Sequence, residues 1–224
     1  MGLVMIIDFN LIAESLPLLL QGLVVTLKIA GAGCLIGLVL GTMLALMQTS
    51  SHTLLRFIVS CYVIIIRGTP MLIQILCAFY VLPQLGLKLD TLTTAIIAIG
   101  LNSAAYISQI IKAGIASVAT GQIEAAKTLG LSKKDIIRFI VLPQALRIAL
   151  PALGNEFVTL VKDSALASVI GVAELSKQGR LVISKTYDAI TVFFAIALLY
   201  LIITTTISLI VAYFEKRMSH NAQN

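Results

Sequence analysis

Arg67 and Glu156 are the two charged residues of this chain that are hardest to place, because each lies within a long apolar run. Ionisable groups are expensive in hydrocarbon, so one that is retained there is either paired or part of a binding or transport site. Arg67 opens the stretch Arg67-Gly68-Thr69-Pro70. Pro70 removes a backbone hydrogen bond, and Gly68 loosens the turn before it. A helix broken at membrane depth is tolerated where it is buried or lines a cavity. Two roles are open to Arg67: it bonds the freed carbonyls or pairs with Glu156, or it meets an anionic group of a passing molecule. Around Glu156, the residues Ala152, Asn155, Thr159 and Asp163 recur at three- and four-residue intervals, giving a helix one small, polar face. Asn102, Tyr106 and Gln109 repeat the pattern elsewhere. Two such faces suggest either a shared aqueous route or interhelical hydrogen bonds, which are typically worth about 0.6 kcal/mol each.

Covalent chemistry finds no comparable foothold. His52 and His220 stand near no nucleophile, and Cys34, Cys61 and Cys77 are isolated small hydrophobes without C-x-x-C pairing. No G-x-x-x-x-G-K-S/T loop occurs; the nearest approach, Gly130-Leu131-Ser132-Lys133, has the wrong spacing for a phosphate cradle. The expectation is a chain with no catalytic residue, no metal site and no cofactor of its own.

The elements that must carry these residues follow from composition. Of 224 residues, 59% are hydrophobic and 12% charged, with a mean hydropathy of +1.04, whereas a soluble domain carries roughly 25% charge. Helices of about 20 apolar residues cross a bilayer, and strands cannot cross without a closed barrel. Five stretches qualify: residues 16–47, 54–81, 92–111, 144–162 and 189–213. The fold expected is an all-α polytopic membrane protein, a single transmembrane domain over residues 1–224. Residues 1–15 carry only Asp8 and Glu14 and read as an interfacial lead-in with no cleavable signal. Gly33, Gly37 and Gly41, four residues apart, are a helix-packing stripe, and Lys28 snorkels or pairs between helices. The net charge of +6 is spread between the spans rather than in one patch, which argues against a nucleic-acid partner. The positive-inside rule puts the N-terminus outside and Glu215-Lys216-Arg217 in the cytoplasm, with residues 112–143 inside as well. Residues 162–185 then fall outside despite four basic residues.

Residues 112–143 hold the most specific pattern. Glu124 to Leu129 favours helix, Gly130 suits a left-handed C-cap, and Ser132-Lys133-Lys134-Asp135 has the form of a new N-cap. Ala125 and Ala126 are small enough for another protein's backbone to approach. Glu124-Ala125-Ala126, Gly130, Ile140, Leu142 and Pro143 match, position for position, the EAA motif of bacterial ABC importer permeases. Arg67 to Pro70, Asn102 to Tyr106, Leu150 to Asn155, and Lys162-Asp163 on to Gly171 to Leu175 resemble the polar amino acid permeases of that superfamily. The likeness runs from about Leu16 to Arg217.

The resemblance implies a type I importer core in the bacterial cytoplasmic (inner) membrane, working as a homo- or heterodimer. It implies that Glu124, Ala125, Ala126, Gly130 and Pro143 couple to a separate ATPase subunit, which binds ATP and Mg. An extracytoplasmic binding protein would deliver a polar amino acid, with basic amino acids or glutamine favoured, and lipid would surround the spans. Arg67, Thr69, Asn102, Asn155 and Glu156 are the candidate pathway residues. Arg67 and Glu156 could together meet a zwitterion, or Glu156 alone a cationic side chain. The competing reading is an ATP-independent channel or secondary transporter, which accounts for composition but not for the EAA spacing.

Overall fold

A computed structural model of the chain describes residues 7–220. The described residues form α-helices joined by short 3-10 and π turns, with no strand among them. Part of the expected interfacial lead-in, residues 1–6, lies outside the described residues.

Helix α1 (Phe9–Gln48) begins where the Asp8 carboxylate accepts from the N–H of Asn10 at 2.9 Å and of Leu11 at 3.2 Å. Its 40 residues make it about 60 Å long, roughly twice the hydrocarbon thickness. From Phe9 onward the lead-in and the first span are thus one helix. The glycine stripe lies against α4 (Thr91–Ala116). A Cβ at Gly37 would stand 2.7 Å from Ser103 Oγ, and one at Gly41 would stand 2.9 Å from the Ala104 carbonyl oxygen. Only a residue without a side chain lets these two helices approach so closely.

The second expected span is two helices, α2 (Thr53–Gly68) and α3 (Met71–Val81), bent by 106° at Thr69-Pro70. Thr69 adopts extended backbone, the conformation a residue before proline prefers. Counting this pair as one span, five segments among the described residues are long and apolar enough to cross a membrane.

Helix α5 (Thr120–Thr128) ends at Gly130, whose φ of 76° is left-handed, and the Leu131 N–H returns to the Ala126 carbonyl at 3.1 Å. Ser132 then accepts from the Asp135 N–H at 3.2 Å and starts α6 (Lys133–Ile136). A π turn, Ile137–Val141, leads without a gap into α7 (Leu142–Asp163), with Pro143 in its first turn. The two short helices around a glycine break match the expectation.

Residues 164–188 are more ordered than a bare connection. A 3-10 turn (Ser164–Ile170) precedes α8 (Leu175–Thr186), and α9 (Ala189–His220) follows. Glu174, fully buried, caps α8 by accepting from the N–H of Lys177 at 2.7 Å and of Ser176 at 2.9 Å, and Tyr200 donates to it at 3.2 Å. Burial pushes its carboxyl up from the ordinary range, against the pull of those donors. The main core gathers Ile29, Ile75, Ile99, Leu160 and Val161 where α1, α3, α4 and α7 meet. A second, of Leu19, Leu175, Val182, Val192 and Ile196, joins α8 to α1 and α9. Leu35, Val39, Phe193 and Leu201 are exposed on the outward faces of their helices. All three cysteines are free.

Candidate functional site

The break between α2 and α3 leaves carbonyls that a continuous helix would satisfy. Thr69 Oγ1 donates to the Ile65 carbonyl at 2.8 Å, and Gln74 Nε2 donates to those of Ile66 at 2.8 Å and Thr69 at 3.2 Å. Arg67 does neither thing foreseen for it within the protein. Its guanidinium lies over the Tyr106 ring, 5.1 Å from the centroid, where the ring's negative face takes the place of a carboxylate. Glu156 instead accepts from Ser103 Oγ at 3.0 Å.

Beside the break is a cavity of about 240 Å³ lined by Thr69, Pro70, Met71, Asn102, Tyr106, Glu156, Thr159 and Asp163. Three elements supply it: the break, α4 and α7. Glu156 and Asp163 are seven residues apart, so two helical turns bring both to one side of α7. The two polar faces therefore do converge, though not completely. Asn102 and Tyr106 reach the cavity, whereas Gln109 turns to α1 and donates to Gln48 Oε1 at 3.0 Å. Of the candidate pathway residues, Thr69, Asn102 and Glu156 come together there. Arg67 and Asn155 are outside the lining, Arg67 one ring away behind Tyr106 and Asn155 exposed on α7. Sequence reasoning passed over Gln74 and left Asp163 out of the pathway set. The available signal was an amide one helical turn beyond Pro70 in an otherwise apolar helix.

The second candidate region, 120–143, is at the surface. Glu124, Ala125, Gly130 and Pro143 are exposed. Ala126 is 3% exposed and packs on its own chain, so only Ala125 offers the close approach foreseen for both alanines. An apolar cleft of about 420 Å³ opens beside them between Leu129, Leu131, Phe139 and Ile140. Gln144, in the first turn of α7, donates to Gln122 Oε1 of α5 at 2.7 Å, so the surface helix is tied to the helix that carries Glu156 and Asp163.

The family described as binding-protein-dependent transport system inner membrane component matches residues 37–220. The glutamine transport system permease protein of Escherichia coli strain K12 is 38% identical over 213 residues, covering 94% of this chain and 97% of its own length. The arginine transport system permease protein of Bacillus subtilis strain 168 is 35% identical over 216 residues, covering 96% of this chain and 99% of its own. A crystal structure of an amino acid ABC transporter with histidines superposes with a TM-score of 0.90 at 39% identity, covering 95% of this chain and all of that one. An ATP-independent channel or gradient-driven transporter finds no support among these relatives. With this helix order, the glycine-broken surface segment and a polar cavity between spans, the chain belongs to the binding-protein-dependent transport system inner membrane components, as a multi-pass permease subunit of an ABC importer whose ATPase is a separate subunit.

Proposed function

We propose that this permease imports basic amino acids through the cavity between the α2–α3 break, α4 and α7. The observation that carries the reading is the lining itself: two carboxylates, Glu156 and Asp163, with no lysine or arginine among the lining residues. A cavity of about 240 Å³ is below the roughly 300–1,000 Å³ typical of drug-sized ligands and suits something as small as an amino acid. A basic amino acid brings an ammonium and a cationic side chain to two carboxylates. Its own carboxylate is left for the second N–H of the Asn102 amide, the first being given to Gln74. Arg67, held behind Tyr106, adds positive potential to that end without entering the cavity. Relatives whose names assign them arginine and glutamine keep the substrate class within polar amino acids.

Energy enters through residues 120–143. Glu124, Ala125, Gly130 and Pro143 meet the ATPase in the cytoplasm, with the N-terminus outside and the C-terminus inside. An extracytoplasmic binding protein loads the cavity of a dimer formed with a second copy or a related permease. ATP favours one of two arrangements through differential affinity, and the unbroken path from α6 through the π turn into α7 carries that preference to Glu156 and Asp163.

The test is uptake of radiolabelled L-arginine and L-glutamine by proteoliposomes holding the permease with its ATPase and binding protein. A charge-assisted contact is worth about 1.5–3 kcal/mol, so Glu156→Gln with Asp163→Asn is expected to cut arginine uptake about tenfold or more and to change glutamine uptake less than about threefold. Full arginine uptake by that double variant overturns the reading.

A further inference from the structure

We infer that Gln74 is a positioning residue for transport, a clasp that ties the α2–α3 break to α4 and so sets the cavity wall formed by Thr69, Pro70 and Met71. The transport side of this inference rests on reading the cavity as the pathway. The structural side does not.

Proline has no N–H, and its ring excludes the carbonyl four residues back, so the Ile66 carbonyl has no helical partner. Away from water such a group must find another donor. Gln74, one turn into α3, supplies it. An amide has two N–H donors and one carbonyl acceptor on a planar head, and here all are engaged. The two N–H groups of Nε2 are shared among three acceptors, the Ile66 carbonyl at 2.8 Å, Thr69 Oγ1 at 2.8 Å and the Thr69 carbonyl at 3.2 Å. Oε1 accepts from Asn102 Nδ2 at 2.9 Å. The donor side therefore grips the end of α2, while the acceptor side grips α4 at a residue that lines the cavity and is 4% exposed.

No other uncharged side chain does this from position 74. Asparagine is one methylene short, and glutamate has the length but no donors for the two carbonyls. Straightening the break pulls on the donor side of this head group, and sliding it along α4 breaks the bond to Asn102. The wall is accordingly either held or free, which is the kind of discrete alternative a transport cycle can switch between. Thr69 is the junior partner: its hydroxyl donates to the Ile65 carbonyl at 2.8 Å while accepting from Gln74.

The experiment uses the reconstituted transporter with its ATPase and binding protein, comparing Gln74→Glu, Gln74→Leu and Thr69→Val. Three readouts are taken: L-arginine uptake, ATP hydrolysis, and hydrogen–deuterium exchange of peptides spanning residues 62–82. Interhelical bonds in a membrane are individually modest but this set is several, so losing it is expected to lower uptake about tenfold, with ATP hydrolysis falling less than about threefold and exchange across α3 rising. Thr69→Val is expected to lower uptake about threefold by the same reckoning. Gln74→Glu keeps the volume and the acceptor, so it reads the missing donors even where Gln74→Leu does not fold. Unchanged exchange in Gln74→Glu overturns the clasp, whatever happens to uptake, and a fall in uptake without it marks Gln74 as a substrate contact instead. Raised exchange with unchanged uptake overturns the assignment of this wall to the pathway.

Discussion

The surface segment 120–143 and the interhelical cavity are built by opposite rules. The segment is made from consecutive residues, each doing something its own chemistry dictates: Gly130 turns left-handed, Ser132 caps, Pro143 starts a helix. The cavity has no local code. Thr69, Asn102 and Glu156 come from the α2–α3 break, α4 and α7, and each is held by another residue: Gln74 for the break and for Asn102, Ser103 for Glu156. A locally coded region tolerates exposure and can be altered one residue at a time. An assembled one inherits the packing of every helix that contributes to it.

That contrast can be broken most directly at Gly130. A β-branched residue at φ 76° is strained by about 1–3 kcal/mol. Gly130→Ile is expected to reduce recovery of the ATPase with the tagged permease about tenfold or more. Glu124→Ala, fully at the surface, is the companion: it should lose the ATPase while shifting unfolding by no more than about 0.5 kcal/mol. Co-purification and thermal unfolding in detergent read the two effects separately. Equal loss of stability in both variants would mean that the segment is not locally coded after all.

Gly37 tests the assembled region. A methyl there would meet Ser103 Oγ at 2.7 Å, and Ser103 is the donor to Glu156. Gly37→Ala is expected to destabilise the fold by about 1–3 kcal/mol through overpacking, and to lower arginine uptake from a position that never touches the cavity. Uptake retained at wild-type level alongside a lowered melting temperature would separate packing from the site and weaken the contrast.

Glu174 sharpens it from a third place, where a local cap is buried in tertiary contacts. Glu174→Ala removes the acceptor for two α8 N–H groups and for Tyr200. The cost expected is about 0.5–2 kcal/mol, read as a lowered melting temperature.

The smallest effect belongs to purely local caps. The Thr93 hydroxyl and N–H hold the exposed Asp90 carboxylate below the ordinary aspartate range. A folded pKa lowered in this way contributes stability above the unfolded value, and that stability is lost as pH falls through the folded value. The melting temperature of the wild type should therefore decline in acid slightly more steeply than that of Asp90→Asn. Parallel acid profiles for the two proteins would remove Asp90 from the account.

The sequence alone marked the apolar helix-length stretches, the glycine stripe and the surface segment. Each depends on a property that adjacent residues carry with them: hydropathy over a helix length, four-residue spacing, a left-handed glycine followed by a serine cap. It also marked Pro70 as a break. Only the tertiary structure decided what the break is for. Arg67, with charge enough to pair, went to the Tyr106 ring, and the freed carbonyls went to Thr69 and Gln74, whose hydrogen bonds reach across a 106° bend. Asp163 joined Glu156 at the cavity while Asn155 did not, because the rotation of α7 against its neighbours selects which side of a polar helix is enclosed. Spacing along a chain names the residues on a face. Which face closes on a cavity is settled by packing between helices far apart in sequence.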